Sequence, residues 1–244
     1  MSVAVVLGAA FVTALATGLG ALPLLFERRV GTSHLGLATA AAAGFMLGAS
    51  AGLLWEGSRD NTDGMLLGAF TGGVFLFVSR RLLGHRRGLE FGALRGADAL
   101  GALMIVGVMT LHSFPEGIGV GVAFGDSETF GGLITAAIAL HNIPEGLAIS
   151  LVLVPKGISV VRAGAWSVFS SLPQPLMAVP AFLLAEWFQA FLPFGLGFAG
   201  GAMLWMAGSQ LVPEALRTSR PMPVAVAVVA AAAAMIGLQL LLLA

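Results

Sequence analysis

Long apolar stretches, separated by short polar or basic segments, run along the whole chain. Eight of them approach or exceed the roughly 20 residues that a helix needs to cross a bilayer. They cover residues 3–26, 35–55, 64–79, 98–124, 131–154, 162–185, 194–213 and 222–243. Because these stretches are continuously apolar and not alternating, they predict helices and not barrel strands. We expect an all-α integral membrane protein with eight transmembrane helices in a single domain, residues 1–244.

The composition supports a membrane location. Of the 244 residues, 58% are hydrophobic and only 10% are charged, with a mean hydropathy of +0.97. A soluble domain carries about 25% charged residues, because its surface faces water. The sequence contains no cysteine, which excludes disulfides and thiolate metal sites.

The basic residues predict the orientation. Every Lys and Arg except Arg59 follows span 1, 3, 5 or 7, and the largest group lies in the segment 80–97. Loops rich in Lys and Arg stay on the cytoplasmic side of a cell membrane. The segment 80–97 is therefore predicted to be a cytoplasmic loop, and both termini are predicted to lie outside.

Two matching polar segments interrupt the apolar pattern of spans 4 and 5. They begin at His112 and His141 and read His-Ser-Phe-Pro-Glu-Gly and His-Asn-Ile-Pro-Glu-Gly. In each, His and Glu are four residues apart and therefore share one helix face. The two spans are antiparallel and predicted to be joined by a loop of about six residues. The pairs His112/Glu116 and His141/Glu145 should then lie at the same depth, near the bilayer midplane.

The residues around each Glu add to the polarity of this region. Pro115 and Pro144 lack an N–H group, so they leave a carbonyl one turn earlier without its helical partner. Gly117 and Gly146 follow the two glutamates and are expected to leave room there for water or an ion.

Two carboxylates at the centre of membrane helices cost on the order of 5–7 kcal/mol on insertion scales. A divalent cation bound by both carboxylates and two neutral imidazoles gives a complex without net charge. Such ligands suit Zn²⁺, Fe²⁺, Mn²⁺, Co²⁺ or Ni²⁺. The residues alone also allow a proton relay, an exporter or proton-coupled carrier, a channel, a metal-binding sensor, or a membrane di-metal enzyme.

At these residues the chain resembles the ZIP (zinc/iron-regulated transporter-like) family of metal-ion transporters. The resemblance implies eight spans with both termini outside, and passage of a divalent metal, zinc above all, toward the cytoplasm. It also implies a homodimer and a metal site near Met46, which lies in a matching Gly-Phe-Met-Leu segment of span 2. A buried Met that only fills a gap between helices is the alternative. Iron, manganese and cadmium are further candidate substrates; we expect no organic cofactor and no nucleic-acid partner.

An internal similarity links spans 2 and 7. Met46-Leu47 precedes Glu56, and Met203-Leu204 precedes Glu214 at nearly the same distance. Since these spans run in opposite directions, the similarity predicts an inverted repeat that relates spans 1–3 to spans 6–8 around spans 4–5. Glu56 and Glu214 would then lie at the outer and inner mouths, although a Glu at a helix end is often only solvated.

The chain departs from the family pattern at the residues that often build a second metal position. These are Ser113, Asn142 and Gln174, all of them neutral. A second dication would leave uncompensated positive charge in an apolar interior. We therefore expect one tight site. These three residues would act only as weak ligands, or would hydrogen-bond to the side chains that bind the metal. His85 is the only histidine of the cytoplasmic loop, so metal sensing by that loop is not expected.

Overall fold

The computed structural model describes residues 1–26, 32–83 and 96–243, which form helices and no β-strand. A π-helical turn covers Ala207–Leu211, and short 3₁₀ turns cover Val154–Lys156 and Gln189–Phe191. The α-helices are α1 (Val3–Leu19), α2 (Pro23–Phe26), α3 (Thr32–Asp60), α4 (Thr62–Leu83), α5 (Gly96–Asp126), α6 (Glu128–Leu153), α7 (Val160–Ser171), α8 (Pro173–Trp187), α9 (Leu192–Met206), α10 (Val212–Thr218) and α11 (Pro221–Leu243).

Seven helical segments within the described ranges are long and apolar enough to cross a membrane. They are Val3–Phe26, Gly36–Asp60, Thr62–Ser79, Glu128–Lys156, Val160–Trp187, Gln189–Thr218 and Pro221–Leu241. The protein is thus an all-helical, multi-pass membrane protein, as predicted. The predicted fourth span lies within α5, which is not one of the seven. α5 has 31 residues and is about 46 Å long. Its crossing of the bilayer nevertheless stays a prediction.

Three of the apolar segments are interrupted helices that restart at a proline. Pro23 begins α2, Pro173 begins α8, and Pro213 lies in the first turn of α10. Proline is best tolerated in the first turn, where its missing N–H would have no helical partner. The restart at Pro173 places Gln174 in the first turn of α8, where it is fully buried.

The turn between α5 and α6 is tighter than the sequence suggested. The predicted loop of about six residues is wrong, because α5 ends at Asp126 and α6 begins at Glu128. Ser127 alone separates them. Its side-chain oxygen accepts a hydrogen bond of 3.2 Å from the N–H of Phe130 and so caps α6. The cap lets the chain reverse within one residue and fixes α5 and α6 as an antiparallel pair.

The helices pack in two groups. One group contains α1, α5, α6, α7 and α8, and the other contains α3, α4, α9, α10 and α11. The groups meet where α3 packs against α6 and where α9 packs against α5. The contact is apolar, with fully buried side chains that include Leu53, Val120, Ile138 and Leu196.

Gly117 and Gly146 have a different role from the one the sequence suggested. They were expected to leave room for water or an ion, and this expectation is wrong. A Cβ atom on Gly117 would overlap the backbone of Gln174, and one on Gly146 would overlap the carbonyl of Thr17. The missing side chains therefore let α8 and α1 approach the two glutamates at backbone distance.

The predicted cytoplasmic loop 80–97 is shorter than expected at both ends. α4 continues to Leu83 and α5 already begins at Gly96. Residues 84–95, which include His85 and most of the arginines of this segment, lie outside the described residues.

The close approach of α1 to α6 gives a stability test. We expect Gly146→Ala to lower the free energy of unfolding by about 1–3 kcal/mol, because the new methyl group must push the Thr17 carbonyl away. Thermal unfolding of the purified protein in detergent measures the change.

The matched control is Gly132→Ala, on the same helix. A Cβ atom at Gly132 has no neighbour within 4 Å and Ala favours a helix over Gly, so the thermal midpoint of this variant should equal or slightly exceed the wild-type value. Equal midpoints for the two variants would contradict the packing described here.

Candidate metal centre

The two polar segments lie on neighbouring helices, one on α5 and one on α6, and both helices continue through their internal prolines. Three of their side chains converge. Glu116, His141 and Glu145 each offer one ligand atom, and these atoms all lie within 4.8 Å of one another. In residues 1–26, 32–83 and 96–243 they are the one group of three or more His, Cys, Asp or Glu with that spacing.

The three side chains are almost completely shielded from solvent. Glu116 and His141 are 0% exposed, and Glu145 is 4% exposed. Glu116 Oε1 and His141 Nε2 are 2.9 Å apart and share a hydrogen bond. The imidazole of His141 thus contacts the carboxylate of Glu116, and a ligand atom of Glu145 lies within 4.8 Å of both.

Several polar atoms of the site have no hydrogen-bond partner among the residues that the structure describes. These buried atoms are His141 Nδ1, Glu145 Oε1 and Asn142 Oδ1. A buried polar atom without a partner costs about 1–3 kcal/mol, and more if it belongs to a charged group. Two of the three are ligand types for divalent metals, so a bound cation would remove part of this cost.

His112 and Met46 lie in the interior but are not part of the convergent group. His112 is 2% exposed and sits one turn before Glu116 on α5. Met46 is fully buried in the apolar cluster between the two helix groups, on the helix α3 that packs against α6. Their predicted part in metal binding stays a prediction.

The three neutral residues Ser113, Asn142 and Gln174 are all buried, and Gln174 bonds directly to one of the three converging side chains. Ser113 Oγ donates to the Met109 carbonyl on its own helix, at 3.1 Å. Gln174 Nε2 donates to Glu116 Oε2 at 2.6 Å. Asn142 Nδ2 donates to Gln174 Oε1 at 3.2 Å.

Thr13 on α1 also belongs to this network, and sequence reasoning missed it. Its hydroxyl lies 2.5 Å from Gln174 Oε1 and 2.7 Å from the Ala10 carbonyl, so its one hydrogen is shared between these two acceptors. Its backbone carbonyl accepts a bond of 2.8 Å from Asn142 Nδ2. Thr13 is fully buried. A threonine inside an apolar helix was the one available signal, and many such residues only bond to their own helix.

The two predicted mouth residues lie at helix ends, and each has an ion pair with an arginine three residues later. Glu56 Oε1 is 2.9 Å from Arg59 Nη1, and Glu214 Oε2 is 3.5 Å from Arg217 Nη1. Exposed pairs of this kind contribute little to stability. Their predicted contact with passing cations stays a prediction.

Asp126, at the end of α5, extends the acidic surface near Glu56. Partial burial raises the pKa of Asp126, and the negative charges of Glu56 and Asp60 raise it further. The hydrogen bond with Ser127 and the charge of Arg59 oppose these effects. The ionised form of Asp126 is therefore less favourable in the folded protein than in water.

Known proteins share most of this chain. A family model described as ZIP zinc transporter matches residues 92–243. The zinc transporter GufA of Myxococcus xanthus is 36% identical over 220 residues, which cover 83% of this chain and 85% of GufA. The zinc transporter ZupT of Lysinibacillus sphaericus is 32% identical over 227 residues, covering 83% of this chain and 84% of ZupT.

A longer relative comes from a plant. A protein of Arabidopsis thaliana described as a candidate zinc transporter is 43% identical over 217 residues. These residues cover 88% of this chain, but the chain spans only 35% of the length of the plant protein.

The raised pKa of Asp126 predicts how its removal changes stability. Because the folded protein holds this proton more tightly than the unfolded chain, the ionised carboxylate destabilises the fold above its folded pKa, and the effect vanishes below the ordinary Asp pKa. Asp126→Asn should therefore raise the thermal midpoint at pH 7.5, and the gain should disappear as the pH falls below about 4.

Asp63→Asn provides the comparison. Asp63 is exposed in the first turn of α4, where a negative charge is favourable, so its removal should not raise the midpoint at pH 7.5. An Asp126→Asn midpoint equal to or below wild type at that pH would argue against a destabilising carboxylate.

Proposed function

Since the chain belongs to the ZIP zinc transporter family, we propose that it carries a divalent metal cation, with Zn²⁺ as the main substrate, across the membrane toward the cytoplasm. Fe²⁺, Mn²⁺ and Cd²⁺ are the further substrates of this proposal. The family is one of transporters, which removes the di-metal enzyme as an alternative.

The buried group of Glu116, His141 and Glu145 is the observation that carries the proposal. A divalent cation between two carboxylates and neutral imidazoles has no net charge, which is the condition for holding it in an apolar interior. It would also give an interaction to Glu145 Oε1, which has no hydrogen-bond partner in the described part of the chain. The same group on a water-facing surface would support no such conclusion, because exposed acidic clusters are common.

We assign the metal to five ligands. Glu116, His141 and Glu145 form its centre, and His112 joins them from the helix turn before Glu116. Met46 adds a thioether from α3, the soft ligand of the set. Ser113, Asn142 and Gln174 are neutral, so they add no charge for a second dication, and the proposal is one tight site per chain.

The proposed membrane arrangement follows the basic residues. α5 makes the fourth of eight crossings, both termini lie outside a cell membrane, and the basic segment 80–97 faces the cytoplasm. Residues 1–244 act as one transmembrane domain, with spans 1–3 and 6–8 related as an inverted repeat around spans 4–5. In this arrangement Glu56 collects cations at the outer mouth, Glu214 releases them at the inner one, and the protein forms a homodimer.

The two helix groups suggest how the site could face each side in turn. α5 and α6, which carry four of the five proposed ligands, belong to one group, and the other group, which carries Met46, meets them through an apolar contact. An apolar contact has few directional bonds to break, so one group can move against the other. We propose alternating access by this relative movement.

Transport through this site can be measured in proteoliposomes that contain a metal-sensing dye. Wild-type protein should take up Zn²⁺. The flux through the double variant His141→Ala/Glu145→Gln should be at least about 100-fold lower, because the variant lacks the imidazole ligand and one of the two negative charges. Parallel runs with Mn²⁺, Fe²⁺ and Cd²⁺ would rank the substrates.

Glu128→Gln is the matched control, because Glu128 is an exposed carboxylate at the start of the same helix, α6. Its flux should equal that of the wild type. Full flux in the double variant would overturn the assigned site. Tight Zn²⁺ binding by the wild type without any flux would identify a metal-binding membrane protein that does not transport.

A further inference from the structure

Gln174 links the candidate metal site to three other parts of the helix bundle. Its side-chain nitrogen donates to Glu116 Oε2 on α5 at 2.6 Å. Its side-chain oxygen accepts from Thr13 Oγ1 on α1 at 2.5 Å and from Asn142 Nδ2 on α6 at 3.2 Å. One neutral amide thus joins α8 to α5, α1 and α6, entirely within the buried interior.

The orientation of this amide follows from its neighbours. An ionised carboxylate only accepts hydrogen bonds, so the NH₂ group of Gln174 must face Glu116. The opposite end faces the NH₂ group of Asn142, which donates also to the Thr13 carbonyl and so cannot be an acceptor there. It also faces the hydroxyl of Thr13, whose one hydrogen is shared between Gln174 and the Ala10 carbonyl. A flipped amide would place two oxygen atoms together at Glu116 and two NH₂ groups together at Asn142. The network therefore has a single consistent direction.

Both oxygens of Glu116 are engaged, but in different ways. Oε1 bonds to His141, which is itself a candidate ligand, while Oε2 bonds to Gln174, which carries no charge and is fixed by Thr13 and Asn142. A cation that enters between Glu116 and His141 takes the place of the first bond. The second bond lies on the far oxygen of the carboxylate and can persist.

We propose that Gln174, held by Thr13, is a positioning residue that restricts Glu116 to one metal-binding oxygen and thereby favours Zn²⁺ over cations that take more ligands. This inference rests on the proposed function. Zn²⁺ takes four or at most five ligands in proteins, which one oxygen of Glu116 and the other four assigned ligands already supply, whereas Mn²⁺ takes about six, largely oxygens. A carboxylate limited to one oxygen suits the first case, and a carboxylate free to bind through both oxygens suits the second.

The variant Gln174→Leu tests this directly. It removes the amide without changing any charge, so Glu116 Oε2 becomes available to a metal. Titration calorimetry with Zn²⁺ and with Mn²⁺ should show the ratio of Zn²⁺ to Mn²⁺ affinity falling about tenfold, the lower end of the range for residues that support metal ligands. X-ray absorption of the Mn²⁺ complex should show one more oxygen ligand than in the wild type.

A milder pair of variants keeps the test decisive if Gln174→Leu does not fold. Thr13→Val removes the hydroxyl that holds Gln174 Oε1, and Thr13→Ser keeps it. Thr13→Val should shift the affinity ratio in the same direction as Gln174→Leu, and Thr13→Ser should match the wild type. Ser170→Ala removes a buried hydroxyl that donates to the Ser167 carbonyl on its own helix, so it serves as a control outside the network.

The outcomes separate this inference from the function on which it rests. If the wild type binds Zn²⁺ and the affinity ratio is the same in Gln174→Leu and Thr13→Val, or both affinities fall equally, Gln174 has only a structural role and the inference fails. If the wild type binds neither metal, the proposed function fails first.

Discussion

Two carboxylates and one imidazole share a small volume inside a helix bundle, where water cannot solvate them. Glu116 and Glu145 come from different helices, and His141 Nε2 lies 2.9 Å from Glu116 Oε1. Burying one unpaired charge costs several kcal/mol, so this arrangement places a condition on everything around it. The helices must deliver hydrogen-bond donors to the carboxylates, exclude water, and leave space that a cation can enter.

The surrounding helices meet this condition by unusually close approach. Gly117 admits the start of α8, which brings Gln174 to Glu116, and Gly146 admits α1, which brings Thr13 to Asn142 and Gln174. The restart of the chain at Pro173 also directs the N-terminal end of α8 toward the site. The partial positive charge of a helix N-terminus is favourable beside a carboxylate. The N-terminal end of α8 and the hydrogen bond from the Gln174 side chain thus both stabilise the carboxylate of Glu116.

Much of this arrangement could be predicted from local pattern, and the rest could not. Hydropathy predicted an all-helical membrane protein but not the interruption before Pro173, and the i, i+4 spacing of His141 and Glu145 predicted their common face. The contact between Gln174 and Glu116 joins residues 58 positions apart in the chain, and Thr13 is 161 positions from Gln174, so no local pattern encodes either contact. The glycines were misread because an absent side chain leaves space whose occupant only the packing of other helices decides.

The one-residue turn at Ser127 bears on the order in which the site is assembled during synthesis. His141 and Glu116 are 25 positions apart and lie on a hairpin with almost no slack, so little loop-closure entropy opposes their meeting. The two halves of the site can therefore come together as soon as α5 and α6 have emerged from the ribosome. Gln174 is made later and completes the site only when α8 joins the bundle. During synthesis, then, the two carboxylates and the imidazole are made before the amide that bonds to Glu116.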